Sequence, residues 1–154
     1  MGNTLYEVIF VTRQECQHIK NFSLDLLIDA NIRCLPVNVM GVAKVYNINL
    51  SQVKTLFTNT LYLSDKLLNI FGYNTKLTKY LAVELLSPMI ILRNLNIQSV
   101  IEIADITKLP LSIATQRFNK YKMLLTYKSF KPSNLESKVL LQFNDWIKHY
   151  KSIP

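Results

Sequence analysis

Glycine is scarce in this chain, with three among 154 residues. Turn-rich β-sandwiches use many glycines at their turns, so this scarcity favours helices. Charged residues make up 18% and hydrophobic residues 49% of the chain, which excludes the disordered class. A chain of this length can bury one core without disulfides or metal. We therefore predict a single, mainly α domain, with at most a vestigial strand pair at Asn47–Leu50 and Thr60–Leu63.

Cysteine and long apolar runs are also scarce. Cys16 and Cys34 are the two cysteines, and we interpret them as free thiols of a cytosolic chain. No apolar run approaches the ~20 residues that cross a bilayer, so we expect no membrane partner. The N-terminus lacks the basic and apolar regions of a signal peptide. These observations predict a cytoplasmic protein.

Acidic residues are missing from one part of the chain. The net charge is +8, but residues 1–105 hold nine Lys and Arg against eight Asp and Glu. Residues 106–154 hold nine against two, and residues 106–135 contain no acid. Such asymmetry favours an anionic partner for the C-terminal part, although a solvated basic face explains it equally well.

Capping signals predict where the helices begin and end. Thr12 and Glu15 fit a capping box for a first helix that ends near residue 30 or 31. A short helix follows at "VMGVAKVY". The segment "SDKLLNIFG" indicates another helix, with Ser64 as its cap and Gly72 as its stop. A long apolar helix then runs from Thr75 until Pro88 breaks it.

The C-terminal half contains two further capping boxes. "SVIE" predicts a helix that begins at Ser99, and "PSNLE" predicts a terminal helix that begins at Ser133. The buried stripe of the terminal helix is expected to consist of Leu135, Val139, Phe143, Trp146 and Tyr150.

Between them, "SVIEIADITKLPLSIATQRFNKYKML" has the pattern of a helix-turn-helix. Ala104 lies where the two helices approach, and Leu109 fills the turn. Lys108 stands where many such motifs have glycine, so either its φ is positive and strained or the turn differs. The inward stripe of the second helix is predicted to be Leu111, Ala114, Phe118, Tyr121 and Leu125.

The outward face of this second helix is a candidate nucleic-acid interface. Outward Gln and Asn side chains can bind adenine edges, and lysines can meet phosphates. The candidate residues are Ser112, Thr115, Gln116, Asn119, Lys120, Lys122 and Lys128. Helix pairs of this shape are also common packing units, so a purely structural role stays open.

Three stretches of the chain resemble the ImmA/IrrE-type zinc metallopeptidases. "LLIDANIRCLPVNVMGVAKVYNINL" is similar to the family's entry segment, and "LAVELLSP" is similar to its "FAaeLLmP". "EIADITKLPLSIATQRF" then matches, without gaps, the family's "ELAklfgVSeeAlryRL". The resemblance implies an entry segment 12–50, a metal-site region 51–76, a scaffold helix with the helix pair 77–125, and a terminal helix 133–150.

The resemblance implies a zinc site whose ligands this chain lacks. The family binds zinc through H-E-x-x-H and a further Glu. The corresponding stretch 51–74 contains no His and no Glu, and the further acid falls near Leu77. Three ligands are needed for a catalytic zinc. We therefore expect no metal, no cofactor and no catalytic residue, unless a partner chain supplies ligands.

The remaining reactive side chains have structural explanations. Cys16 and His18 are two residues apart on a helix and point in different directions, so they cannot form a nucleophile–base pair. Glu84 and Pro88 belong to the scaffold stretch, where Glu84 is expected to make a structural hydrogen bond or ion pair. Because members of that family act on repressor-type regulators, the resemblance without its zinc ligands implies non-catalytic binding of a repressor-type protein, in regulation of a repressor or mobile element. The alternative is a DNA-binding regulator that uses the helix pair 99–125.

Overall fold

A computed structural model describes residues 12–51, 54–127 and 129–154, which form one mainly α-helical domain. The α-helices of these ranges are α1 Arg13–Asp29, α2 Val39–Val45, α3 Leu56–Ile70, α4 Thr78–Leu86, α5 Met89–Leu92, α6 Val100–Thr107, α7 Leu111–Leu125 and α8 Asn134–Ser152. A 3-10 turn, Thr75–Leu77, leads into α4. The predicted fold class is confirmed. The candidate Lys128 and the N-terminal residues considered for a signal peptide lie outside the described ranges.

The predicted strand pair is wrong. Thr60–Leu63 lies inside α3, which begins after Thr55, whose hydroxyl accepts a hydrogen bond from the backbone N–H of Thr58. This N-cap fixes a helix start that outweighs the strand preference of the threonines. Asn47–Leu50 forms no strand either, because Asn47 turns the chain with a φ of 57° at the end of α2.

The start of the third helix was also predicted wrongly at Ser64. With Thr55 as the cap, Ser64 lies in the middle of α3. Its side chain is fully buried, and its hydroxyl has no hydrogen-bond partner among the described residues. The predicted stop at Gly72 is confirmed, because Gly72 has a φ of 78° directly after the helix.

Helices α1, α2 and α3 end in the same way. A residue in the left-handed conformation, Asn31, Asn47 or Gly72, follows each helix cap. The backbone N–H of the residue after it then donates to a carbonyl five positions back, for example from Ile32 to Leu27 at 3.0 Å. This Schellman arrangement satisfies carbonyls that the helix leaves open.

Helix α4 lies at the centre of the domain. Its residues Tyr80–Leu86 are all buried, and it packs against both α1 and α3. The helix ends at Ser87 because Pro88 disfavours helical geometry in the residue before it. The chain then continues directly as α5.

Helix α8 returns from the end of the chain to pack on α1 and α5. Its predicted capping box is present, with Ser133 and Glu136 bonded to each other's backbone N–H. The side-chain amide of Gln142 donates to the carbonyls of Leu27 and Ile32, at 2.8 and 2.6 Å. These two bonds tie the last helix to the end of the first.

Candidate functional site

Helices α6 and α7 form the predicted helix-turn-helix-like pair. Ser99 caps α6, although Glu102 accepts from the backbone N–H of Gln98, so the predicted reciprocal box is incomplete. Lys108 adopts a φ of 62°, and its N–H donates to the carbonyl of Ala104 at 2.9 Å. Leu109 is buried in the turn, as expected. The turn therefore takes the strained alternative, with lysine in a conformation that favours glycine.

The inward face of α7 differs from the predicted stripe. Ala114 and Tyr121 are buried, but Leu111 and Leu125 are 59% and 51% exposed. Arg117 takes their place on the inward face and is 3% exposed. The prediction was wrong because it placed only apolar residues on the inward face, whereas a long cationic side chain can also be buried when its charge is paired.

The candidate nucleic-acid residues fall into two groups. Ser112, Thr115, Asn119 and Lys122 are exposed on one face of α7. Lys120 instead points toward α4, where its Nζ lies 3.9 Å from Glu84 Oε2. Gln116 is half-buried, with its Oε1 buried and without a partner among the described residues.

A buried ion pair joins α7 to α4. Arg117 donates to both carboxylate oxygens of Glu84, at 3.0 and 3.2 Å. The same guanidinium donates twice to the carbonyl of Ser87, at 3.1 and 2.5 Å. Pro88 ends helix α4 here, and this break leaves the carbonyl of Ser87 without a helical donor. Arg117 supplies the donors for that carbonyl. The ion pair expected for Glu84 is thus present.

Glu84 stays ionised despite its burial. Burial alone would raise the pKa of Glu84, but the charges of Arg117 and Lys120 and the hydrogen bonds from Arg117 hold that pKa below its ordinary value. Burial also lowers the pKa of Lys120, against the attraction of Glu84. Lys120 is therefore a partly desolvated cation beside a carboxylate that Arg117 already neutralises.

An open cleft of about 500 Å³ lies above this pair, between α1, α4, α5, α7 and α8. Its lining includes Arg13, Cys16, Gln17, Ile19, Lys20, Tyr80, Glu84, Met89, Arg93, Lys120, Leu124, Tyr127, Phe130 and Glu136. Lys20 pairs with Glu136 at 2.9 Å across the cleft. Arg93 lies 3.8 Å from the ring centre of Phe130. Cations and apolar groups thus share one concave surface.

A second surface, the aromatic patch, consists of Phe22, Tyr46, Phe71 and Tyr73. Phe71 lies edge-on to Phe22 and to Tyr46, with ring centres 5.1 and 5.7 Å apart. Phe22 also stacks on Tyr73 at 4.9 Å. The Tyr46 hydroxyl lies 3.2 Å from the carboxylate of Asp29. Burial, followed by Asp29, raises the pKa of Tyr46 to about 12.

Three helix ends meet at the aromatic patch. Tyr46 and Phe71 cap the C-termini of α2 and α3, and Asp29 is the last residue of α1. Helix C-termini carry partial negative charge; the last turns of α1 and α3 contain no basic residue, whereas that of α2 contains Lys44. The patch is therefore apolar and partly exposed, and it lies beside three helix C-termini whose last turns contain one basic residue, Lys44.

The region where the resemblance implies a metal is filled with apolar side chains. Leu67, Leu68, Leu77 and Leu81 are buried there together with Ser64. Across residues 12–51, 54–127 and 129–154, no three His, Cys, Asp or Glu side chains come together. In the same ranges no helix is long and apolar enough to cross a membrane.

Comparison with known proteins gives no relative: no protein-family model matches the chain, and no curated protein or solved structure matches it. The site therefore has to be interpreted from its own geometry. Sequence reasoning missed Arg117 and the cleft. A signal was available, because Arg117 lies three residues after Ala114 and four before Tyr121, on the same helical face.

Proposed function

We propose that the chain is a non-catalytic, ImmA/IrrE-like cytoplasmic protein that binds a repressor-type protein and so acts in regulation of a repressor or mobile element. The observation that carries this proposal is the buried pair of Glu84 and Arg117. Each residue belongs to one of the sequence blocks similar to that family, and the pair joins the two blocks in space. The leucines that fill the expected metal region support binding without peptidase chemistry.

The aromatic patch is the surface best suited to such a partner. Phe71 is 48% exposed and Tyr73 36% exposed, and the neighbouring Val45 and Ile70 are 48% and 60% exposed. Partly exposed aromatic side chains are typical anchors of protein interfaces. DNA-binding proteins carry basic surfaces, so the negative helix ends at this patch complement a repressor. The proposed occupant is a basic, apolar segment of that repressor.

The experiment measures the affinity of the purified chain for the repressor encoded nearest to its gene. Phe71→Ala is expected to weaken binding at least ~30-fold, the loss typical of an interface anchor. Tyr62→Ala is the matched control, because Tyr62 is an exposed aromatic of α3, the helix that Phe71 caps, and lies outside the patch. Thermal unfolding of both variants shows whether the fold is retained. Absence of binding, or equal losses in both variants, would contradict the proposal.

A second function, DNA binding, is favoured by the exposed polar face of α7. A tight turn, a buried Leu109 and outward Thr115, Asn119 and Lys122 match the arrangement of a recognition helix. Binding should then fall with salt, with a logarithmic slope of about −0.9 per phosphate contact. Lys122→Gln should reduce that slope by about one contact. Lys120→Gln is the control, because Lys120 faces the cleft.

A further inference from the structure

We infer that the cleft above Glu84 and Arg117 binds an organic anion, a molecule that carries a carboxylate on an apolar or aromatic body. Its volume of about 500 Å³ lies within the range of ~300–1,000 Å³ typical of small-molecule sites. The site is separate from the aromatic patch and from the outward face of α7. The inference therefore goes beyond the proposed function and does not depend on it.

The charges of the cleft are unbalanced. Among the described residues, its lining contributes four cations and two carboxylates, and Arg117 lies beneath it as a fifth cation. Glu136 is paired with Lys20 and Glu84 with Arg117. An excess of three positive charges therefore remains. They lie at a concave, partly apolar surface, which strengthens the positive electrostatic potential that attracts an anion.

Lys120 is the cation with most to gain from a ligand. Its Nζ lies 3.9 Å from Glu84, beyond the ~2.7–2.9 Å of a charge-assisted hydrogen bond. Its side chain is 41% exposed, and burial lowers its pKa. A carboxylate in the cleft could accept a hydrogen bond from Lys120 and offset this desolvation. Arg13, exposed on the first turn of α1, borders the same space.

The apolar side chains of the cleft are the reason for proposing an apolar or aromatic body on the ligand. Ile19, Tyr80 and Met89 are buried in its lining. Tyr127 and Phe130 are 57% and 39% exposed, so they offer free ring surface to a bound apolar body. An inorganic anion would leave these groups uncovered, and a neutral apolar molecule would leave the cations unpaired.

Arg93 is held in place before any ligand binds. Its Nη1 donates to the carbonyl of Leu124 at 2.9 Å, and its guanidinium stacks on Phe130. A guanidinium has five N–H donors, so others remain for a ligand. A preorganised donor costs less ordering on binding.

Calorimetric titration with 4-phenylbutyrate and its neutral amide tests the inference. We expect the acid to bind at least ~10-fold more tightly than the amide, as one hydrogen bond to a charged group implies. Lys120→Gln should weaken binding of the acid by at least ~10-fold, and Lys120→Arg should retain most of the affinity. Lys122→Gln is the matched control, with the same charge change on the same helix, and should alter affinity less than ~2-fold.

Chemical shifts recorded during the same titration locate the ligand. Shifts confined to residues such as Ile19, Lys120 and Leu124 support the inference. Equal affinity for acid and amide, equal effects of the two glutamine variants, or shifts centred on the aromatic patch would overturn it. So would the absence of saturable binding at about 10 mM, above the ~1 mM that corresponds to weak small-molecule affinity.

Discussion

Replacing Arg117 by methionine tests whether the buried pair is a determinant of stability. Methionine keeps an unbranched, flexible side chain, although a shorter one, and it removes both hydrogen bonds to Glu84 and both to the carbonyl of Ser87. Glu84 is 9% exposed, so water cannot fully replace what is lost. Lys120 remains, at 3.9 Å from the carboxylate.

Breaking one side of a buried ion pair costs about 3–5 kcal/mol, because the other charge is left uncompensated. Domains are stable by about 5–15 kcal/mol in total. At ~2–4 °C per kcal/mol for a chain of this size, the melting temperature of Arg117→Met should fall by about 6–20 °C.

The assay is urea and thermal unfolding followed by circular dichroism at 222 nm. Lys122→Met removes a cation from the exposed side of the same helix and should cost less than about 1 kcal/mol. Arg117→Lys keeps the charge but loses the two-pronged geometry, so it should lie between Arg117→Met and the parent. It also provides a measurable variant if Arg117→Met does not fold.

The double variant Glu84→Met, Arg117→Met isolates the coupling between the two residues. It should recover part of the stability lost in Arg117→Met, because no buried charge is left alone. Recovery should be incomplete, because the carbonyl of Ser87 still lacks its donors, at a cost of about 1–3 kcal/mol. A loss below about 1 kcal/mol in Arg117→Met, or strict additivity of the two single variants, would contradict a stabilising ion pair between Glu84 and Arg117.

The pKa values of Glu84 and Glu136 lie below the ordinary 4.5, so their stabilisation is complete above pH 4.5 and is lost as pH falls through the folded-state values. The melting temperature measured against pH should fall at acid pH, and Glu84→Gln should reduce this fall. Ser64→Ala should raise the free energy of unfolding by about 1 kcal/mol in urea, because it removes a buried hydroxyl without a partner; a capping serine would instead cost about 1 kcal/mol. Lys108→Gly should stabilise by about 0.5–1 kcal/mol by relieving the left-handed conformation, and destabilisation would contradict that strain. Elemental analysis should find well under one zinc per chain, and a chelator should leave the melting temperature unchanged; stoichiometric zinc after dialysis would reopen peptidase chemistry.

The helix boundaries were most predictable where a local capping signal sets them. Thr12 and Ser133 bond to the backbone three residues on, so residues close in sequence carry the whole signal. Thr55 was missed because no Glu or Gln follows it at the third position, and the apolar stretch after it also fits a strand. Ser64 was mistaken for a cap because burial, which depends on distant elements, is invisible in a local pattern.

The candidate site was less predictable because it depends on contacts between distant parts of the chain. The exposure of Asn119 and Lys122 follows from helical periodicity alone, whereas the sequence left two alternatives for the turn at Lys108. Lys120 was placed on the outward face and Arg117 was given no role. Their partner Glu84 is more than 30 residues away, so no local pattern connects them. The cleft is formed by five helices, and no single segment indicates it.

The bonds from Gln142 to Leu27 and Ile32 have a consequence for synthesis of the chain. They span 115 and 110 residues, so α1 leaves the ribosome long before its partner helix exists. At ~5–20 residues per second, the ribosome needs about 6–23 s to add those 115 residues. During this interval the apolar face of α1, including Leu26 and Leu27, lacks the cover of α8. Nascent chains stalled before residue 134 should therefore bind chaperones, and chains released from the ribosome after residue 154 should not.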